Sequence, residues 1–138
     1  MNGCIETTFR GRPLTLLFSI DVMFDAIEKY GSAAELLQAL GGETRDTYDA
    51  VVWATERMAR EGELARREAG YEPRPMLEPG EFSLRRTPYE YVTLRSACSE
   101  AIGRAFRREE PDEDGGEEDE GLAELRAKKA ADEPTGRR

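Results

Sequence analysis

Residues 19–62 read SIDVMFDAIEKYGSAAELLQALGGETRDTYDAVVWATERMAREG and contain the start and stop signals of three successive helices. Each predicted helix follows a hydroxyl side chain that can accept a hydrogen bond from an otherwise unpaired backbone N–H; these residues are Ser19, Ser32 and Thr44. Gly31 stands where a left-handed residue commonly ends a helix, and two further glycines close the second helix. The stretch therefore predicts a helical protein.

Apolar side chains recur at helical spacing in the first and third of these segments. The first stripe consists of Ile20, Met23, Ile27 and Tyr30. The third helix has Tyr48, Val51, Val52, Thr55, Met58 and Ala59. We expect both stripes to face one core. Gly62 is expected to break or bend the third helix, although residues 63–69 can prolong it because one glycine costs only about 1 kcal/mol.

Upstream of this stretch, two short segments are rich in residues that favour β-strands, Cys4–Phe9 and Leu14–Phe18. The four residues between them, RGRP, have the composition of a turn in which Gly11 can take a positive φ. The pattern predicts a β-hairpin. Because an isolated two-stranded ribbon is marginal in water, its apolar face must be covered by helices. That face is predicted to contain Phe9, Leu16 and Phe18.

Downstream, residues 70–86 contain three prolines and no sustained period, which predicts an irregular loop. The next four residues, Thr87-Pro88-Tyr89-Glu90, combine a capping box with proline at the first helical position. A last helix is therefore predicted from Pro88 to about Arg108. Its apolar face is predicted to comprise Tyr91, Leu94, Cys98, Ala101, Ile102, Ala105 and Phe106.

The chain has 20 basic and 29 acidic residues, a net charge of −9, and this charge is unevenly distributed. Residues 1–108 hold 17 acids and 15 bases, whereas residues 109–138 hold 12 acids and 5 bases. We expect 109–138 to be a disordered acidic tail, in which Leu122 to Ala131 favours helix but is too short to be stable alone. The predicted fold is mainly α: a small domain of about four helices with an N-terminal β-hairpin, over residues 1–108, followed by this tail.

Composition argues against several classes of function. The chain has no histidine, which excludes histidine-dependent nucleophilic catalysis and histidine-ligated zinc. Its two cysteines, Cys4 and Cys98, are too few for a disulfide framework or a four-ligand metal site and are expected to be reduced thiols. No apolar run approaches the ~20 residues that cross a bilayer, and no signal peptide is recognisable. We expect a cytoplasmic protein without catalytic, cofactor-binding or metal-binding residues.

A set of acidic residues and a set of arginines can each be interpreted as a functional site or as an ordinary solvated surface. Asp21, Asp25 and Glu28 share one helical face at a spacing that suits a metal or an acid/base pair, but the opposite apolar face favours a solvated surface. Guanidinium groups bind phosphate well, and the candidates are Arg57, Arg60, Arg66, Arg67, Arg85, Arg86, Arg104, Arg107 and Arg108. Interleaved glutamates and the acidic tail argue against a nucleic-acid partner.

Trp53, the single tryptophan, is the most informative candidate for a binding residue. Helical geometry directs it away from the Tyr48, Val52 and Thr55 stripe. Two interpretations stay open: it belongs to a partner-binding surface, where tryptophan is enriched, or residues 70–86 or the hairpin cover it. On the first interpretation, the contact residues are Trp53, Arg57, Arg60 and Tyr89.

The order of elements also resembles a known family. The chain begins with a short hairpin and the first helix, in the stretch CIETTFRGRPLTLLFSIDVMFDAIEKYGS. A small helix follows, then TYDAVVWATERMAREGELARREAGY, then TPYEYVTLRSACSEAIGRAF and a charged tail. This arrangement resembles the tail assembly chaperones of long non-contractile-tailed bacteriophages and prophages, particularly those of Gram-positive hosts. The resemblance covers residues 5–107 and rests on element order and on stretches such as FDAIEKYGS and EGELARREAGY, not on a catalytic signature.

The resemblance implies a mainly helical, cytoplasmic protein that is not an enzyme and is absent from the finished virion. It implies that the protein holds the tape measure protein, and tail tube subunits with it, until the tube polymerises, and it leaves room for a homo-oligomer. Three alternatives stay open: a small DNA-binding regulator of a phage or mobile element, a structural tail-completion or connector protein, and an enzyme.

Overall fold

The computed structural model describes residues 1–78, 80–81 and 87–107. Within these ranges a β-hairpin precedes four helices, which confirms the predicted mainly α fold. The elements are β1 (Cys4–Phe9), β2 (Arg12–Leu17), α1 (Ile20–Tyr30), α2 (Ala33–Ala39), α3 (Arg45–Glu68) and α4 (Pro88–Ala105). All of them belong to one unit, Gly3–Arg107. The predicted tail, 109–138, with its helix-favouring segment, lies outside the described residues.

All four predicted helix starts are confirmed, each by the same local contact. The hydroxyls of Ser19, Ser32, Thr44 and Thr87 accept a hydrogen bond from the backbone N–H three residues later, at distances of 3.0–3.3 Å. At the other end of α1, Gly31 has a φ of 103°, the left-handed conformation predicted there. These ends are set by contacts within a few residues, which is why the sequence reveals them.

The hairpin is antiparallel, with Ile5 paired to Leu16 and Phe9 paired to Arg12. Its turn is shorter than predicted: only Arg10 and Gly11 connect the strands, and both have positive φ, 56° and 78°. This conformation matches the right-handed twist of paired strands, so the second strand begins at Arg12 instead of Leu14. The predicted apolar face is confirmed, since Phe9, Leu16 and Phe18 are all buried.

The hairpin and all four helices pack around one core, to which α2 contributes the buried Leu36. Side-chain contacts define how the helices run. Tyr91 stacks on Tyr48 and the Cys98 thiol lies 3.1 Å from the Thr55 hydroxyl, both at an offset of 43 positions, so α3 and α4 run parallel. Helix α1 runs antiparallel to α3. Its successive contacts with α3 are Ser19 with Glu61, Asp25 with Arg57, and Tyr30 with Trp53.

Gly62 has a different role from the predicted one. Helix α3 continues through it to Glu68 without a break. An ideal Cβ on Gly62 would lie only 1.9 Å from the carbonyl oxygen of Thr15 in β2. The glycine therefore permits α3 and β2 to approach closely, a packing requirement that a single helix's sequence pattern does not reveal.

The predicted core face of α1 is wrong in part. Val22 and Ala26 are fully buried, and Met23 and Tyr30 are partly buried against the core. Ile20 and Ile27 are instead exposed. The helix has two apolar stripes, and the small side chains of Val22 and Ala26 pack inward.

The last helix follows its predicted face more closely. Leu94, Cys98, Ala101 and Ile102 are buried, and Ala97 joins them. Phe106 is the exception, since it lies just beyond Ala105, where α4 ends, and is largely exposed. Its ring centroid is 5.9 Å from that of Phe18.

The segment after α3 has no regular secondary structure over residues 71–78, as predicted, but a buried carboxylate fastens it. Glu63 accepts hydrogen bonds from Arg66 at 2.9 Å, from Arg67 at 2.9 Å and from the backbone N–H of Arg74 at 2.6 Å. The two arginines in turn donate to the carbonyl oxygens of Glu72 and Arg74. We call these contacts the Glu63 network. They tie the segment to the end of α3.

Candidate partner-binding surface

A shallow groove lies between α1 and α3 and brings together two of the predicted contact residues. It encloses about 380 Å³ and is lined by Asp25, Glu28, Lys29, Trp53 and Arg57. The antiparallel contact of the two helices produces this groove, because every lining residue lies on α1 or α3.

Trp53 is partly buried in this groove, and α1 covers it. Its ring meets that of Tyr30 edge-on, with the centroids 5.5 Å apart. The sequence offered residues 70–86 and the hairpin as intramolecular covers, but the ring contact comes from the first helix. The remaining indole surface faces the groove, where its binding role stays a prediction.

Arg57 is held by an acidic residue of α1. Its Nε donates to Oδ2 of Asp25 at 3.0 Å, and the two side chains are 27% and 44% exposed. Asp21 and Glu28, the other acids on that face, make no ion pair within residues 1–78, 80–81 and 87–107. Among those same residues, no three potential ligands converge on a metal position.

The other two predicted contact residues lie apart from the groove. Arg60 is exposed on α3 and does not line it. Tyr89 is 80% exposed in the first turn of α4. The 43-position offset between α3 and α4 places Tyr89 level with Asp46, which is about 20 Å along the axis from Arg60. The four predicted residues therefore do not form one patch.

A second surface on α1 was missed by the sequence analysis. Ile20, Phe24 and Ile27 are 71%, 57% and 40% exposed and follow one another at intervals of four and three residues. They lie on one side of the helix over two turns. We call these three side chains the α1 outer face. The signal for it was present in the sequence as a second apolar stripe.

Two ionisable groups with shifted pKa values, Glu63 and Cys98, neither line the groove nor belong to the α1 outer face. Burial acts to raise the pKa of Glu63, but the hydrogen bonds from Arg74, Arg67 and Arg66 outweigh it and lower the pKa below its ordinary value. Burial raises the pKa of Cys98 to about 12, against a smaller opposing effect of the Thr55 hydrogen bond. Cys4 and Cys98 are both free and both are buried.

The groove and the α1 outer face meet at Glu28, which follows Phe24 by one helical turn and also lines the groove. Together they offer apolar area, an aromatic ring and charged groups, the elements of protein recognition. Comparisons with protein-family models, with curated proteins and with solved structures found no match to this chain. In the described part of the chain, no helix has the length and apolar character needed to span a membrane.

Proposed function

We propose that this protein is a phage tail assembly chaperone that binds the tape measure protein, tail tube subunits or both, and so controls polymerisation of the tail tube. It acts without catalysis, in the host cell cytoplasm, and leaves the tail before the virion is complete. The proposal begins from the resemblance over residues 5–107. The observation that supports it is the α1 outer face.

An assembly chaperone needs a surface that grips another polypeptide reversibly. Folded domains usually place isoleucine and phenylalanine inside, and contiguous exposed apolar patches commonly mark interaction sites. Ile20, Phe24 and Ile27 provide such a patch on a helix that is itself anchored through Val22 and Ala26. The net charge of −9 favours solubility of a complex with an aggregation-prone client.

The DNA-binding alternative receives less support. Arg57 is paired with Asp25, and Arg66 and Arg67 are paired with Glu63, so these guanidinium groups are already engaged. The helix–glycine–helix order of α1 and α2 imitates a helix-turn-helix, but α2 reads AAELLQA and has no basic residue with which to contact phosphate or bases.

Co-expression tests the proposal directly. The affinity-tagged full chain is produced with the tape measure protein of the same phage or prophage, and separately with its tail tube protein, and the complexes are isolated. We expect at least one client to be retained and to become more soluble. Failure to retain either client, with both clients soluble, would contradict the proposal. Copies of the protein in purified virions would instead favour a tail-completion role.

A further inference from the structure

We propose that the α1 outer face is the docking site for an amphipathic helix of a partner protein whose apolar stripe is bordered by basic residues. The proposal deepens the proposed function, on which it rests for the identity of the partner as a client. It assigns a surface and a chemistry of recognition that the resemblance does not supply.

The shape of the surface suits a helix. From Ile20 to Ile27 the exposed stripe extends about 10 Å, or two helical turns. The burial of Val22 and Ala26 fixes the helix on the core, so the stripe is presented on a rigid support. A partner helix with apolar residues at intervals of three and four residues can align with such a stripe and interdigitate its side chains.

The charge beside the stripe selects the partner. Asp21 and Glu28 lie three and four residues from Phe24 and therefore border it on the same side. Neither forms an ion pair or side-chain hydrogen bond with another described residue. Lys29 is five residues from Phe24, about 140° round the helix. The apolar stripe thus has an acidic border whose charges are unpaired among the described residues, and lysine or arginine beside a partner's stripe would complement them.

The same border disfavours two other occupants. A second copy of the chain packed face to face and antiparallel would bring four carboxylates together, from two residues in each copy, and the face itself adds no cation. A membrane surface is also disfavoured, because interfacial helices usually present lysine and arginine beside their apolar face, whereas Asp21 and Glu28 are acidic.

The groove provides a neighbouring contact. Glu28 belongs both to the acidic border and to the groove that contains Trp53. A basic side chain that crosses from the stripe toward Glu28 comes near the indole ring, where a cation is attracted to the aromatic face. Because Trp53 is the single tryptophan of the chain, its fluorescence reports occupation of this side of the site.

The test uses the full chain and two labelled 18-residue helical peptides without tryptophan. Both have the same leucine stripe; one has lysines along its borders and the other has glutamates. We expect the lysine peptide to bind at least tenfold more tightly than the glutamate peptide, as measured by fluorescence anisotropy, and to change the Trp53 emission. Its binding should weaken as salt is added.

Two variants locate the site. Joint replacement of Ile20, Phe24 and Ile27 by alanine should weaken binding of the lysine peptide at least tenfold, and because these side chains are exposed the fold should persist by circular dichroism. The matched control replaces Leu64 of α3 and Val92 of α4, which are also exposed, by alanine and should bind as the unaltered chain does. Asp21→Asn with Glu28→Gln should weaken binding several-fold, whereas Glu43→Gln with Glu68→Gln should not.

Several outcomes would overturn the assignment. Unaltered binding by the triple alanine variant would place the site elsewhere, including the acidic tail. Equal binding of the two peptides would contradict the preference for a basic partner. If neither peptide binds, the α1 outer face is not a docking site for a helix. If sedimentation shows a dimer that the triple alanine variant does not form, the occupant of the α1 outer face is a second copy of the chain. If the chain binds neutral lipid vesicles, the occupant is a membrane.

Client capture separates this assignment from the proposed function. If the unaltered chain retains the tape measure protein and the triple alanine variant retains it equally well, the assignment of α1 fails while the chaperone proposal stands. If the unaltered chain retains no client but discriminates between the peptides as expected, the chaperone proposal fails and the docking surface stands.

Discussion

Helix α3 has an ion pair near its middle and an ionic network near its end, and the two differ in their access to water. Arg57 and its partner Asp25 are 27% and 44% exposed, whereas the side chains of Arg66 and Glu63 are 9% and 8% exposed. Exposed pairs contribute about 0–1 kcal/mol, while removing one partner of a buried pair costs several times more. The exposed Arg57–Asp25 pair can therefore exchange partners in the groove, whereas the buried Glu63 network holds residues 71–78 in place.

The largest expected effect comes from breaking the buried network. Glu63→Ala should lower the free energy of unfolding by about 3 kcal/mol, because two guanidinium groups and the Arg74 amide lose their acceptor. Urea unfolding measures the change. Glu68→Ala, at an exposed position of the same helix, is the matched control and should stay within about 0.5 kcal/mol. Equal effects of the two changes would show that the network is not a main anchor.

A backbone change at the same end of α3 tests the close approach of helix and strand. Gly62→Ala should destabilise the fold by about 1–3 kcal/mol, since the added methyl group would collide with the Thr15 carbonyl. Gly103→Ala in α4 meets no atom within 4 Å and should stabilise by about 0.5 kcal/mol. Thermal unfolding of both variants gives the comparison, and shifts of the same sign would contradict it.

Acid should weaken the Glu63 network, because protonation of the carboxylate removes its charge. The pKa of Glu63 is lower in the folded chain than in the unfolded chain, so its contribution is fully present above the unfolded pKa, near 4.5, and is lost as the pH falls through the folded pKa. The urea midpoint of the unaltered chain should therefore fall more steeply below pH 4.5 than that of Glu63→Gln. Parallel curves would remove Glu63 from the acid response.

The smallest expected effect concerns the pair at the groove. Asp25→Asn should change the free energy of unfolding by less than about 1 kcal/mol, because water screens the exposed carboxylate. A double-mutant cycle with Arg57→Gln measures the coupling of the two side chains. A coupling above about 2 kcal/mol would mean that this pair is structural, as the Glu63 network is, and would end the contrast between the two regions.

Local signals made much of the fold predictable. Ser19, Ser32, Thr44 and Thr87 each contact a backbone N–H only three residues away, so their sequence context suffices to identify them. The last helix was also predictable because a single apolar stripe dominates it. Such contacts depend on neighbours along the chain and not on the tertiary arrangement.

Long-range packing decided what the sequence did not reveal. Periodicity identified Ile20 and Ile27 as apolar positions, but the choice between them and Val22 with Ala26 depends on what α1 packs against. Trp53 is another example, because its ring partner, Tyr30, lies on a different helix. Of the candidate site, the sequence therefore indicated the groove residues Trp53 and Arg57, and it gave no reason to separate Tyr89 from them.

The position of Cys98 against Thr55 allows its reactivity to report local opening of the contact between α3 and α4. The Cys98 thiol is fully buried between two parallel helices, so an alkylating reagent reaches it when α3 and α4 separate. Burial also raises the pKa of the thiol to about 12, which keeps the reactive thiolate scarce in the closed form. In a Cys4→Ser background, the alkylation rate relative to that of the unfolded chain would measure how often this seam opens. A bound client that slows the alkylation of Cys98 stabilises the closed form, and a bound client that accelerates it favours separation of the two helices.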